Sequence, residues 1–174
     1  MQIFAPSADP VVSAKVLDDQ RLRKMITETA QLLSAAVRLN GGDAEGLYKP
    51  PPSGRDLYSW AAHSPENFGW LAAHAGAMQE EALWRFGKVP SSGAVCQRAT
   101  TAGARMAFLA TGATLPINRT RSFAHGVDFT HVSDVYAAYR CYLMRRWELG
   151  SPKWTNPSLL PTNFVFFFPG WAHR

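Results

Sequence analysis

Cysteine, long apolar runs and, in the second half, acidic residues are what this 174-residue chain has least of. Only Cys96 and Cys141 are present, neither in a Cys-x-x-Cys pair, which argues against a disulfide framework and a paired-cysteine zinc site. Both thiols are expected as small core residues in a reducing compartment. No apolar run approaches the ~18 residues of a membrane span; the longest candidate, around Phe166-Phe167-Phe168, is far too short. The opening residues carry no basic stretch followed by an apolar one, so no secretory signal is read and a cytoplasmic location is expected, in an infected bacterial cell if the chain is phage-encoded. Phosphate-binding loops, dinucleotide fingerprints and His-Glu-x-x-His are missing as well. Neither metal nor cofactor is expected, and no membrane partner.

What is present is an uneven charge. Residues 1–87 hold 8 Lys+Arg against 10 Asp+Glu, a net of −2, whereas residues 88–174 hold 10 against 3, a net of +7. Cations mixed with Trp and Tyr suit a polyanion, and DNA fits them better than an anionic membrane because no stretch is a strongly basic amphipathic helix. The length supports one core and one domain, residues 1–174.

The best-marked segment is 17–40, LDDQRLRKMITETAQLLSAAVRLN. Leu22, Met25, Thr29, Leu32 and Ala36 recur every three or four residues, the stripe of a helix packed on a core. Asp18 or Asp19 can cap its start, and Gly41-Gly42 supplies the left-handed residue that ends one. Arg21, Lys24, Glu28 and Gln31 share a second strip, with one carboxylate among cations. By spacing alone that strip reads first as a solvated face whose ion pairs are worth about 0.2–0.5 kcal/mol each.

The opening Met1-Gln2-Ile3-Phe4, followed by Leu17-Asp18-Asp19-Gln20-Arg21-Leu22 and then Glu28 and Gln31, resembles the start of the pyrimidine-dimer DNA glycosylase family, the phage endonuclease V type. In that family an Asp-Gln-x-Leu helix carries a catalytic glutamate, and the free α-amine of the chain attacks the sugar carbon of a damaged nucleotide. The resemblance implies that Glu28 takes the glutamate's role and Met1 the nucleophile's, with Arg21 beside them. An α-amine, with a reference pKa of roughly 7.7–8.0, is a usable nucleophile near neutrality, and a carboxylate opposite it can stabilise a cationic sugar and move protons. Two positions depart from the family: Gln2 is bulky enough to keep Met1 in place, and Thr27 stands where an arginine flanks the glutamate. The run 64–88, SPENFGWLAAHAGAMQEEALWRFGK, resembles uncharacterised phage proteins with the same opening, which implies a diverged phage-borne branch.

Elsewhere the chain reads as an all-α, single-domain bundle of about four main helices, with a Pro-rich loop and an irregular aromatic tail. Asp9-Pro10 starts a short helix to about Val16, leaving residues 1–7 as an extended arm. The loop 41–55 offers Lys49 and Arg55 to DNA; Asp56 to His63 is a short helix carrying Trp60 as a further DNA contact. Ser64-Pro65 opens a helix to Phe86, with a core stripe of Phe68, Leu71, Ala75, Met78 and Ala82 and a polar strip of Asn67, His74, Glu81 and Arg85. Asn67, His74 and Glu81 are candidates for a pocket, although a satisfied buried histidine is the commoner outcome. Ala94 to Thr111 is expected as the third main helix. The loop 115–129 exposes Asn-Arg-Thr-Arg, with Arg119 and Arg121 for phosphates. Ser133 or Asp134 opens the fourth, with Arg140, Arg145 and Arg146 on its outer face. Trp154, Phe164, Phe166, Phe167, Phe168 and Trp171 either cover the core or stack on a flipped base.

Three functions are compatible with these residues. The first is a DNA glycosylase, with an abasic-site lyase step, acting on a modified or damaged pyrimidine. The second is a DNA hypermodification transferase on the same scaffold, in which a small amine or amino acid co-substrate replaces an activated group on a modified thymine and Glu28 takes the amine's proton. The third is a DNA-binding module without chemistry.

Overall fold

The structure, a computed structural model, describes residues 1–158. The tail aromatics Phe164, Phe166, Phe167, Phe168 and Trp171 lie outside the described residues. The described part is mainly helical: α1 (Pro10–Lys15), α2 (Asp19–Leu39), α3 (Arg55–His63), α4 (Pro65–Phe86), α5 (Ser92–Gly103) and α6 (Val135–Glu148). Between α5 and α6 a two-stranded antiparallel hairpin, β1 (Arg121–Ser122) and β2 (Val127–Asp128), is closed by a 3₁₀ turn over Phe123–His125. No described helix is long and apolar enough to cross a membrane.

The central helix is α2, which packs against α3, α4 and α5, while α1 packs on α4. Its predicted stripe, Leu22, Met25, Thr29, Leu32 and Ala36, is buried, together with Ile26, Ala30, Leu33 and Val37. Each large side chain sequestered this way contributes about 1.5–3 kcal/mol over its exposed state. Asp18 caps the helix through the Arg21 N–H, and Gly41 follows it at φ 67°. The stripe of α4 is buried as predicted, and its Ser64 cap and Pro65 start stand where expected.

Two expectations are corrected. The third main helix begins at Ser92, not Ala94, and stops at Gly103, not Thr111. At Gly103 the backbone lies so close to Phe68 that a Cβ would stand 2.2 Å from its ring. The chain then turns through short-range bonds, Arg105 N–H to Ala102 O and Met106 N–H to Gly103 O. From there it crosses the α3–α4 corner, where Ala110 N–H meets His63 O, Gly112 N–H meets Glu66 and Thr114 N–H meets Asn67 Oδ1. Those partners replace the helical bonds that the segment gives up. The second correction concerns the cysteines: Cys96 is buried, its thiol pushed up to about 12 by desolvation, but Cys141 is exposed on the outer side of α6.

The amino-terminal arm is packed into the core. Ile3, Phe4 and Ala5 are all buried. Phe4 lies edge-on to Tyr139 and stacked on Tyr142 at centroid distances of 6.3 and 6.1 Å, and Arg140 donates to Pro6 O at 2.9 Å. The first residues are thereby fixed between α2 and α6.

Candidate functional site

Glu28 lies one turn past the middle of the first half of α2, on the strip away from the core. Its side chain is only 13 % exposed because the arm covers it. Gln2 N–H donates to Oε2 at 2.7 Å, and the Lys24 ammonium stands 3.3 Å from Oε1. The Gln2 side-chain amide reaches the other wall, donating to Arg119 O at 2.9 Å. A pocket of about 290 Å³ opens here, with Met1, Gln2 and Phe4 on the arm side and Gln20, Arg21, Lys24, Met25 and Glu28 on α2. Arg119, Arg121, Tyr142 and Arg146 complete it. Five cationic side chains and one carboxylate line this concave site; Asp18, Asp56 and Asp128 outside it pair with Arg21, Arg119 and Arg121, so the surplus positive charge is that of Arg146.

Each wall is pinned by residues that do not enter the pocket. Asp18 caps α2, pairs with the Arg21 guanidinium and accepts from the Trp147 indole N–H at 2.8 Å, which ties the first turn of α2 to α6. The Tyr139 hydroxyl donates to Ile117 O at 2.8 Å and accepts from Arg119 N–H at 3.4 Å, setting the segment that carries Arg119. Burial holds that phenol well above its ordinary pKa, so it stays a neutral hydrogen-bonding group. Arg119 also pairs with Asp56 at 3.4 Å, and Arg121 with Asp128 at 3.1 Å. Arg146 bonds to Ser122 Oγ and to the Tyr142 hydroxyl, both at 3.2 Å, with no carboxylate partner among the described residues.

Gly54 was not anticipated as part of this site. It precedes α3 in the left-handed region at φ 85°, and a Cβ there would stand 2.7 Å from Met1 Cβ. Glycine is needed twice over, for the backbone conformation and for the space that Met1 occupies. The Pro-rich loop around it is anchored by Arg38, which donates to Ala44 O, Leu47 O and Tyr48 O.

The structure thus brings together Met1, Arg21, Lys24, Glu28, Arg119, Arg121 and Arg146. It does not bring the other expected residues there. Trp60 is a core residue, edge-on to Trp70 with its indole N–H on Thr114 O, and has no face to offer DNA. Gln31 is half-buried a turn beyond Glu28, and Lys49 and Arg55 are exposed; none of the three lines the pocket. Arg140 is engaged with Pro6 O and Asp134, and Arg145 pairs with Glu148 at 3.0 Å on the outer surface. The Asn-Arg-Thr-Arg loop is less open than expected, since Thr120 is buried and Asn118 bonds to Thr120 and toward Phe129 O and Val132 O.

Asn67, His74 and Glu81 form no common pocket. All three are buried, each spent on a separate structural contact. Asn67 ties the Trp60 carbonyl to Thr114; His74 Nδ1 meets Pro10 O at 2.9 Å; Glu81 accepts from Arg85 and from Ser158. A carbonyl can only accept, so Nδ1 carries the imidazole proton. Desolvation pushes the His74 pKa down to about 4.

Beside the Glu28 pocket lies a larger cleft of about 780 Å³ that shares Gln20, Arg21, Lys24 and Arg146 with it. Arg23, Lys153, Asp18 and Asp19 line it as well, the Asp19 carboxylate accepting from Thr155. No group of three or more His, Cys, Asp or Glu able to hold a metal occurs among the described residues. No protein-family model, curated protein or solved structure matches the chain.

Proposed function

We propose that this protein acts on a base in DNA, as a glycosylase with an abasic-site lyase step on a modified or damaged pyrimidine. The single observation that carries the reading is the contact of Gln2 N–H with Glu28 at 2.7 Å, inside a pocket whose lining is otherwise cationic. It sets the arm carrying Met1 against Glu28, the one carboxylate among the described residues that line the pocket. In the proposed reaction an unblocked Met1 amine attacks the sugar C1′, the base leaves, and the amine becomes an imine to the opened sugar. Glu28 stabilises the cationic sugar and carries protons between amine, base and ring oxygen. Arg21, Lys24, Arg119, Arg121 and Arg146 hold the flanking phosphates, so affinity falls steeply with salt.

Borohydride reduction on DNA containing an abasic site tests the imine directly. The expected result is a covalent protein–DNA adduct that disappears when a peptide is fused ahead of Met1. Glu28→Gln should lower base release by about 10²–10⁴-fold, the usual range for a positioned acid–base group. No adduct, together with base release that survives the fusion, would overturn the imine route.

A second reading is favoured by the adjoining cleft. Two compartments that share Arg21, Lys24 and Arg146 suit a transferase, with the modified thymine in one and a small amine or amino acid in the other, near Asp18 and Asp19. The amine nitrogen then displaces an activated group from the base, the departing anion leaves among the arginines, and Glu28 takes the proton. Mass analysis of nucleosides after incubation separates the two chemistries: a lost base in the first, a heavier one in the second. A Glu28→Gln variant that binds DNA like the parent, with neither product from either protein, would leave a binding module.

A further inference from the structure

We propose that Phe123 is a stacking platform for a nucleobase at the mouth of the Glu28 pocket, an inference that rests on the DNA-acting reading above. Phe123 is 82 % exposed, the most exposed large apolar side chain among the described residues. A lone exposed apolar residue is ordinary on a protein surface. Its neighbours make this one different. Arg121, two residues earlier, lines the pocket, and its guanidinium carbon lies 4.4 Å from the Phe123 ring centroid. Ser122, between them, accepts from Arg146, a second lining cation.

The turn that presents the ring is tied down at its root. It is closed by the pairs Arg121↔Asp128 and Ser122↔Val127, Val127 is buried against the core, and Phe129 N–H bonds to Thr120 O at 2.9 Å. A hairpin held at its root and carrying an aromatic at its tip loses little entropy when a flat group settles on that ring. With Arg121 against one face, the other face is open. The chemistry that matches an open π-face flanked by two guanidiniums is a nucleotide, its base on the ring and its phosphate on Arg146, which has no carboxylate partner among the described residues, or on Arg121 in competition with Asp128. Every base has such a face, so the contact adds affinity without selecting sequence.

Anisotropy titration of labelled single-stranded and duplex oligonucleotides with the full chain tests the assignment. Phe123→Ala should weaken binding by about 5- to 100-fold, the range for loss of one base–aromatic stack, with the slope of log K against log salt unchanged because a ring releases no counterions. Phe123→Trp should bind like the parent, while Phe123→Leu, equally apolar but without a π-face, should fall with alanine. A 2-aminopurine placed at the contacted position should be quenched by the parent and not by Phe123→Ala. Alanine within twofold of the parent, or full rescue by leucine, would overturn the platform. If base release then still depends on Glu28, only the platform fails; if the parent binds no DNA even at low salt, the DNA-acting reading falls with it.

Discussion

Two helices of this protein carry the same kind of ion pair, and only one of the pairs looks like a site. On α4, Glu81 and Arg85 are four residues apart and almost wholly buried, at 1 % and 0 % side-chain exposure. The Arg85 guanidinium is fully used, donating to Glu81, to Lys15 O and to Leu17 O, with Asp19 at 3.3 Å. On α2, Lys24 and Glu28 have the same spacing, but Lys24 is 69 % exposed and Glu28 has cations around it in excess of its own charge. The first arrangement is closed: one buried guanidinium is shared by Glu81, Asp19 and two carbonyls, and it has no donor left to offer a ligand. The second is open, and its surplus positive charge calls for an anion from outside. Identical spacing gives a structural knot in one place and a candidate catalytic pocket in the other, and what separates them is which backbone each pair meets.

The largest test of that contrast is Arg85→Met. Removing the guanidinium leaves the buried Glu81 carboxylate with only its Ser158 bonds and no cation, and two carbonyls without a donor, so urea denaturation should show a loss of about 3–5 kcal/mol. A loss under about 1 kcal/mol would mean that the knot is no more structural than the α2 pair.

Next is the pH response of the same α4 strip. His74 has a pKa pushed down by burial to about 4 from the ordinary 6.5, so between those values the unfolded chain takes up a proton that the native state refuses. Its stabilising contribution is fully present above about pH 6.5, declines as pH falls, and levels off near pH 4, for a total of about 3 kcal/mol. Unfolding free energies measured from pH 7 to pH 4 should show this decline, and His74→Phe should flatten that part of the curve. An unchanged curve in the variant would place the acid sensitivity elsewhere.

On the pocket side, Gly54→Ala should cost about 1–3 kcal/mol from the left-handed backbone, and it should also displace Met1. Adduct yield is then expected to fall more than stability does, because the added methyl group meets the arm at the site itself. Equal loss in adduct yield from a glycine-to-alanine change at Gly41, where a Cβ meets nothing within 4 Å, would remove the positional argument. The smallest effect is Lys24→Ala. Stability should move by only about 0.2–0.5 kcal/mol, as for any exposed pair of this spacing. The salt slope of DNA binding should nevertheless drop by about 0.9, one phosphate contact's share.

The sequence legibly encoded its helices, because periodic apolar positions and caps are local signals: Asp9, Asp18, Ser64 and Asp134 cap α1, α2, α4 and α6 where a cap was expected. It also singled out Glu28, Arg21 and Lys24 as one strip. The overextended α5 shows the limit, since alanine-rich residues after Gly103 have helical propensity but a better offer of hydrogen bonds at the α3–α4 corner.

What the chain determined by itself was therefore the set of elements and the face on which each charge stands. Only the tertiary structure decided that Asn67, His74, Glu81 and Trp60 are interior while Arg119, Arg121 and Arg146 line one pocket with Glu28 across more than ninety residues of sequence. The reason is physical: helical period fixes direction around an axis, but burial depends on what arrives from elsewhere. Here that was the arm, whose Gln2 N–H meets Glu28 while its buried Ile3, Phe4 and Ala5 anchor it, so that the half-buried carboxylate lines a pocket among cations.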